Sequence, residues 1–196
     1  MLNRIFTMLD NYIYLYHTDT FIIIPAYPEK FQDSIDVEFS TETPLMRSAP
    51  IFSYSSSGPR TIDVEIPMHR EMMEQINYGV SNANVSLNDD YVDELIKQIQ
   101  AAALPVYSAS SKMVDPPMVA IRFGNEIFCK GIISGNVRVD YDAPVLPNGK
   151  YATVSVGFTV KEVDPYDALT VQKVGSFRGL DTTLERRLWK SAGRLF

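Results

Sequence analysis

Residues 131–160 read GIISGNVRVDYDAPVLPNGKYATVSVGFTV, two alternating runs around a turn. Each run holds about ten residues, where a strand more often has roughly 5–6. Ile133, Val137, Val139 and Tyr141 recur at every second position of the first run. Val154, Val156, Phe158 and Val160 do so in the second. The positions between them are small or polar: Ser134, Asn136, Thr153, Ser155, Gly157 and Thr159. Side chains on a strand alternate between faces, so this pattern specifies a long antiparallel ribbon with one apolar face and one wet one. A chain containing such a ribbon must cover the apolar face, and that requirement directs the reading of everything else.

At 196 residues there is material for one domain with appendages, or for two small domains. Hydrophobic residues make up 45%, with 11 Tyr and 10 Phe, enough for a sizeable core. The formal net charge of −6 argues against nonspecific binding to nucleic acid. Cys129 is the single cysteine, which excludes an intrachain disulfide and fits a reducing compartment. Arg4, Asp10 and Asp19 interrupt the apolar N-terminus, so neither a membrane span nor a signal-peptide pattern is expected there. The expectation is a soluble chain, intracellular when synthesised.

Upstream of the ribbon the pattern is mostly strand. In residues 1–20, Tyr12, Tyr14 and Tyr16 alternate with Ile13 and Leu15, so 11–17 reads as a strand apolar on both faces. It would either join the chain's own sheet or lie as an arm on another subunit. Phe21–Ile24 is a short strand stopped by Pro25 and Pro28. In SIDVEFST, Ile35, Val37 and Phe39 alternate with Asp36, Glu38 and Ser40, which predicts a half-buried strand. PIFSYSS and TIDVEI flank SSGPR, and the Ser-Gly-Pro sequence predicts a turn joining an antiparallel pair.

The middle is helical. HREMMEQINYG predicts a short helix closed by Gly79, and NDDYVDELIKQIQAAALP a longer one over 89–103. Asn88 or Asp89 can cap the longer helix, Val92, Leu95, Ile96 and Ile99 form its apolar stripe, and Pro105 marks its end. Strands return at PPMVAIRFGNEIFCKGIIS around a Gly124–Asn125 turn, and the long ribbon closes near Val163. Strands, a helix, then strands again make a mainly β (α+β) chain with one packed helix.

From Ser176 onward, five Lys or Arg face two acids, net +3, against −9 on residues 1–175. Leu184, Leu188, Trp189 and Leu195 give TTLERRLWKSAGRLF an amphipathic helical pattern. A basic tail on an acidic body either docks a partner or folds back on its own surface.

Chemistry is not what these residues advertise. His17, His69 and Cys129 do not make a zinc set. Asp89, Asp90, Asp93 and Glu94 lack the spacing and central Gly of a calcium loop, so capping and a solvated face is the expected role. SSSGPR has no nucleophile-elbow pattern, and Gly58 is not followed by a phosphate-loop ending. Asp140 and Asp142, on alternate positions near a turn, are expected to solubilise it rather than to cut sugars. No catalytic group, metal or cofactor is expected.

Two stretches carry a resemblance. IPAYPEKFQDSIDVEFSTETPLMRSAPIFSYSSSGPRTIDVEI is similar to the opening of the tail-tube-like domain of contractile injection system tube-initiator proteins. That family is shared by phage baseplate hubs and phage-derived toxin-injecting particles. PPMVAIRFGNEIFCKGIISGNVRVDYDAPVLPNGKYATVSVGFTVKEVDP resembles its second half, with a Lys-Gly step before the long hairpin and a Pro-Asn-Gly turn within it. The likeness spans residues 21–166, leaving 1–20 as an N-terminal arm and 167–196 as a basic C-terminal arm. Many members add a peptidoglycan-binding LysM module, for which the residues after Val163 are too few.

The resemblance implies a tail-tube-like antiparallel β-barrel or sandwich, six copies of which close into a ring. The long hairpins would join edge to edge, and Ser134, Asn136, Arg138, Thr153, Ser155 and Thr159 would line a channel. Tyr12, Tyr14 and Tyr16, with Arg186, Arg187, Leu188 and Trp189, would dock partners. Those partners would be the tail tube, the hub or spike and baseplate wedge proteins, in a virion assembled in the host cytoplasm. Such a channel would let DNA pass without a specific site for it, and no membrane span is implied. The alternatives are a tail-associated cell-wall hydrolase and a monomeric ligand-binding β-barrel.

Overall fold

The computed structural model describes residues 11–24, 27–46, 48–73, 90–107, 117–164, 167–174, 183–184 and 186–188. Seven strands form one antiparallel sheet: β1 (Asn11–Leu15), β2 (Thr20–Ile23), β3 (Lys30–Glu42), β4 (Ile51–His69), β5 (Met118–Phe123), β6 (Ile127–Val145) and β7 (Tyr151–Glu162). Their spatial order is β2-β1-β5-β6-β7-β4-β3. The described helices include α1 (Arg70–Met73), α2 (Tyr91–Ala102) and α3 (Ala168–Val174). The mainly antiparallel β fold with one packed helix is as the alternation predicts.

The long ribbon is β6 and β7. Val139 pairs with Val156 and Ile133 with Val160, so the apolar positions of both runs share one face. Val154, Val156, Phe158 and Val160 are buried there with Ile62, Val64 and Ile66 of β4 and Ile13, Leu15 and Ile22 of β1 and β2. Helix α2 covers this face with Val92, Leu95, Ile96 and Ile99. Tyr141 departs from the expected face burial, because it lies towards the ribbon tip, and is exposed. At Gly131, where β6 passes from β5 to β7, an added Cβ would stand 2.1 Å from the Lys161 carbonyl oxygen. Only glycine fits that crossing. Val156→Ala should lower stability by roughly 1–3 kcal/mol through lost burial and a residual cavity. Ser155→Ala on the opposite face should move the urea midpoint far less.

Three expectations are corrected. The Ser-Gly-Pro turn does not exist: β4 runs unbroken from Ile51 to His69, and the reversal lies at 43–50. Residues 57–60 instead form an irregular stretch where Val37 pairs with Ser57 and Ile35 with Arg60. A Cβ at Gly58 would come within 2.9 Å of the Asp36 Cβ, so a turn-forming sequence here serves a β-bulge. Secondly, β3 is not half-buried: Ile35, Val37 and Phe39 are exposed, because no described element of the chain covers them. Thirdly, the cap of α2 is Asp90 rather than Asn88 or Asp89, its side chain accepting from the Val92 amide at 3.1 Å. Gly79 lies outside the described residues.

The acidic start of α2 is an ion-pair cluster rather than a solvated face. Arg70 donates to Asp90 and Asp93, and Lys150 in the β6–β7 turn donates to the same two carboxylates at 2.8 and 2.6 Å. Burial pushes both carboxyls up, but hydrogen bonds from Lys150 and the Arg70 charge outweigh it and hold both below the usual range. A depressed folded-state pKa contributes stability that is present above the ordinary carboxylate pKa, about 4, and lost as pH falls through the folded value. Urea midpoints should therefore fall steeply below about pH 4. Lys150→Gln should flatten that acid limb, and an unchanged limb would show that the cluster does not couple to folding.

Candidate functional site

The face of β3, β4, β7 and β6 opposite the core is built in rows. Lys30 pairs with Glu65, Glu65 with Gly157, and Gly157 with Arg138. The next row is Gln32, Asp63, Thr159 and Ser134. Further along, Pro67, Ser155 and Asp140 align, then His69, Thr153 and Asp142. The period-2 geometry thus brings Ser134, Arg138, Thr153, Ser155 and Thr159 onto one surface. Asn136 sits in the β6 irregularity between Ser134 and Arg138, beside Gly135 at φ +82°, and still lines the same shallow depression.

Sequence reading missed the other half of this surface. Lys30, Gln32, Asp63 and Glu65 belong to it only through the β3–β4–β7 register, which no local pattern announces. Arg138 donates to Asp140 at 2.6 Å and approaches Glu65 at 3.8 Å. The Thr159 hydroxyl donates to Asp63. Asp63, Glu65, Asp140 and Asp142 outnumber Lys30, Arg138 and Lys161, so the face is net acidic as well as hydroxyl-rich.

These groups do not assemble a nucleophile and base. His69 stands opposite Thr153, but Asp142 lies on the far side of Thr153 and not behind the imidazole, so nothing in the row orients it as a base. Among the described residues there is no cluster of His, Cys, Asp and Glu fit to hold a metal. Cys129 is buried in the core. No described helix is long and apolar enough to cross a membrane.

Two free edges flank the polar face. β3 is the last strand of the sheet, and its outer edge has no described strand beside it. β5 pairs with β6 only as far as Ile132, so residues 133–145 have no described strand beside them on the other side, a second free edge among the described residues. A long open edge in a soluble chain invites pairing with another strand.

The expected docking residues divide. Tyr12 and Tyr14 lie in β1, hydrogen-bonded between β2 and β5, and are buried with Phe21, Phe128, Leu184 and Leu188. Arg187 donates to Asp19 at 3.0 Å and to the Tyr14 hydroxyl at 3.3 Å. Tyr12, Tyr14 and Leu188 are therefore taken up inside the chain. Burial raises the Tyr14 hydroxyl pKa, and its bond to Asp19 adds to this. Tyr16, Arg186 and Arg187 are exposed, and Trp189 lies outside the described residues.

No protein-family model matches the chain, and no curated protein sequence matches it. Among solved structures it is similar to a chain in the virion of a native gene transfer agent particle. Identity there is 15% and the TM-score 0.39, over 77% of this chain and 90% of that one. It is also similar to a chain in the tail of an empty gene transfer agent particle with C6 symmetry. Identity there is 16% and the TM-score 0.39, over 81% of this chain and 96% of that one.

Proposed function

We propose that this chain is a structural protein of a phage-type tail, forming a ring layer that joins a central hub or spike to the tail tube. The observation that carries the reading is the pair of free edges on one four-stranded polar sheet. Every neighbouring pair in β6-β7-β4-β3 is antiparallel, so β6 and β3 run in opposite directions. A second copy related by rotation about an axis along the sheet can therefore set its β6 beside β3 of the first and continue the antiparallel alternation. Such an interface is head-to-tail and generates a closed ring when the rotation divides the circle. The apolar face turns outward to α2 and the acidic, hydroxyl-bearing face turns inward, giving a wet channel that repels polyanions.

In this reading residues 21–166 are the ring-forming body, to which β1 adds an inner strand and on which Leu184 and Leu188 pack. Six copies, a place in the baseplate of the virion and contacts with tube and wedge proteins follow from the resemblance of its motifs to tube initiators. The test is the mass of the assembled species, together with an image of the parent particle in which the chain is placed. A ring in the tail axis is the expected result. A monomer that carries a small ligand in the depression, or one that turns over cell wall, would overturn the proposal.

A further inference from the structure

The outer part of the β3–β4 ribbon stands away from the body. β7 reaches β4 only from Thr61 onward, so among the described strands residues 51–60 pair with β3 alone. A two-stranded hairpin by itself is marginal in water. Yet this one displays a continuous apolar stripe. Beyond Asp33, Ile35, Val37 and Phe39 share one face of β3, and Phe39 meets Tyr54 edge-on at 5.7 Å. Phe39 is 57%, Tyr54 58% and Phe52 65% exposed. Single exposed apolar residues are ordinary, but a contiguous run on a strand with a free edge marks a contact surface.

The same chain carries a matching half. On the free edge of β6, Val137 and Val139 are only partly covered and Tyr141 and Val145 are exposed, all on the flank with no described neighbour. This free stretch, 133–145, is as long as β3. One residue of slip would turn every side chain to the wrong face, so only in-phase registers preserve both the apolar and the polar surface. One in-phase register sets all three β3 residues of the stripe against apolar partners. It places Ile35 opposite Tyr141, Val37 opposite Val139 and Phe39 opposite Val137. It also sets Glu38 opposite Arg138, whose side chain is 65% exposed, on the polar face.

We infer that the projecting β3–β4 ribbon docks on a second copy of this chain, with β3 beside β6 and Val37 opposite Val139. This rests on the ring reading and adds to it the edge, the face and the register. Lys30 is level with Arg138 within one copy, so this pairing offsets successive copies along the strands. A stagger of that kind is what tilts the strands of any closed barrel. An opposite-sign pair within the register also discourages slippage.

The test is oxidative cross-linking of the full-length chain carrying Val37→Cys with Val139→Cys, or Glu38→Cys with Arg138→Cys. Directly opposed cross-strand residues bring their Cβ atoms close enough for a disulfide with slight adjustment. A covalent ladder on a non-reducing gel is expected from these pairs and not from Val37→Cys with Arg138→Cys. In a separate variant, Ile35→Ser with Phe39→Ser should leave the monomer's melting unchanged and weaken assembly at least about tenfold, since both side chains are exposed in the monomer. A high-mass assembly in which only the off-register pair cross-links, or none does, overturns this inference and leaves the ring reading standing. Cross-linking to a different protein of the particle and not to itself overturns it too. A chain monomeric at every concentration, with no ladder, overturns both.

Discussion

Arg60→Ala should destabilise the domain by roughly 3–5 kcal/mol, the cost of removing one partner from a buried ion pair. Arg60 is fully buried on β4, where the ribbon leaves the body. Its guanidinium donates in bidentate fashion to Asp33 on β3 at 2.8 and 2.7 Å. It also donates to the Phe128 carbonyl of β6 at 3.4 Å and lies 3.9 Å from Glu162 at the end of β7. Burial opposes the charge, and the Asp33 hydrogen bonds and charge overcome it, so the guanidinium pKa stands above its ordinary value. Four strands are thus tied through one side chain. Arg60→Lys should recover little, because an ammonium cannot reproduce the planar fork. Arg60→Met with Asp33→Asn should recover part of the loss, since it also removes the carboxylate left facing no cation. The comparison is made on urea midpoints. An Arg60→Ala midpoint within experimental scatter of the parent would show that the network is dispensable.

Nothing local to Arg60 announces this role. It ends a Ser-Gly-Pro-Arg sequence that reads as a turn, and its partners lie 27 and 68 residues away. The ribbon of β6 and β7, by contrast, was legible, because period-2 alternation on both strands defines face and pairing together. Alternation reveals a strand's two faces without saying whether the chain covers the apolar one. Hence β3 shows the right pattern with Ile35, Val37 and Phe39, yet remains exposed within this chain. The cap of α2 failed for a related reason. Asn88, Asp89 and Asp90 are all capable residues, and Asp90 is engaged by Arg70 of α1 and Lys150 of a distant turn. Half of the polar face was readable in the same way, on β6 and β7. Lys30, Gln32, Asp63 and Glu65 needed the register of β3 and β4 to join it.

Deleting residues 176–196 should lower the melting temperature of the isolated chain sharply, not merely abolish assembly. The amphipathic pattern of this segment could serve a partner or the chain's own surface, and the sequence does not separate the two. The structure buries Leu184 and Leu188 against Tyr12, Tyr14, Phe21, Ile23 and Phe128, on the face of β2, β1 and β5 opposite the main core. Both leucines are almost wholly out of water. Losing a buried leucine side chain costs roughly 2–5 kcal/mol, so removing two approaches the whole stability of an ordinary domain, about 5–15 kcal/mol. Arg187, reaching Asp19 and Tyr14, adds an exposed contact worth little by itself. Leu188→Ala isolates the packing contribution from the charge. It should account for roughly half of the deletion's effect if the two leucines contribute alike and independently. A shortened chain that melts with the parent would show that the leucines are not needed by the body. The segment would then be free to act as a docking arm, with exposed Arg186 and Arg187 as its charged contacts.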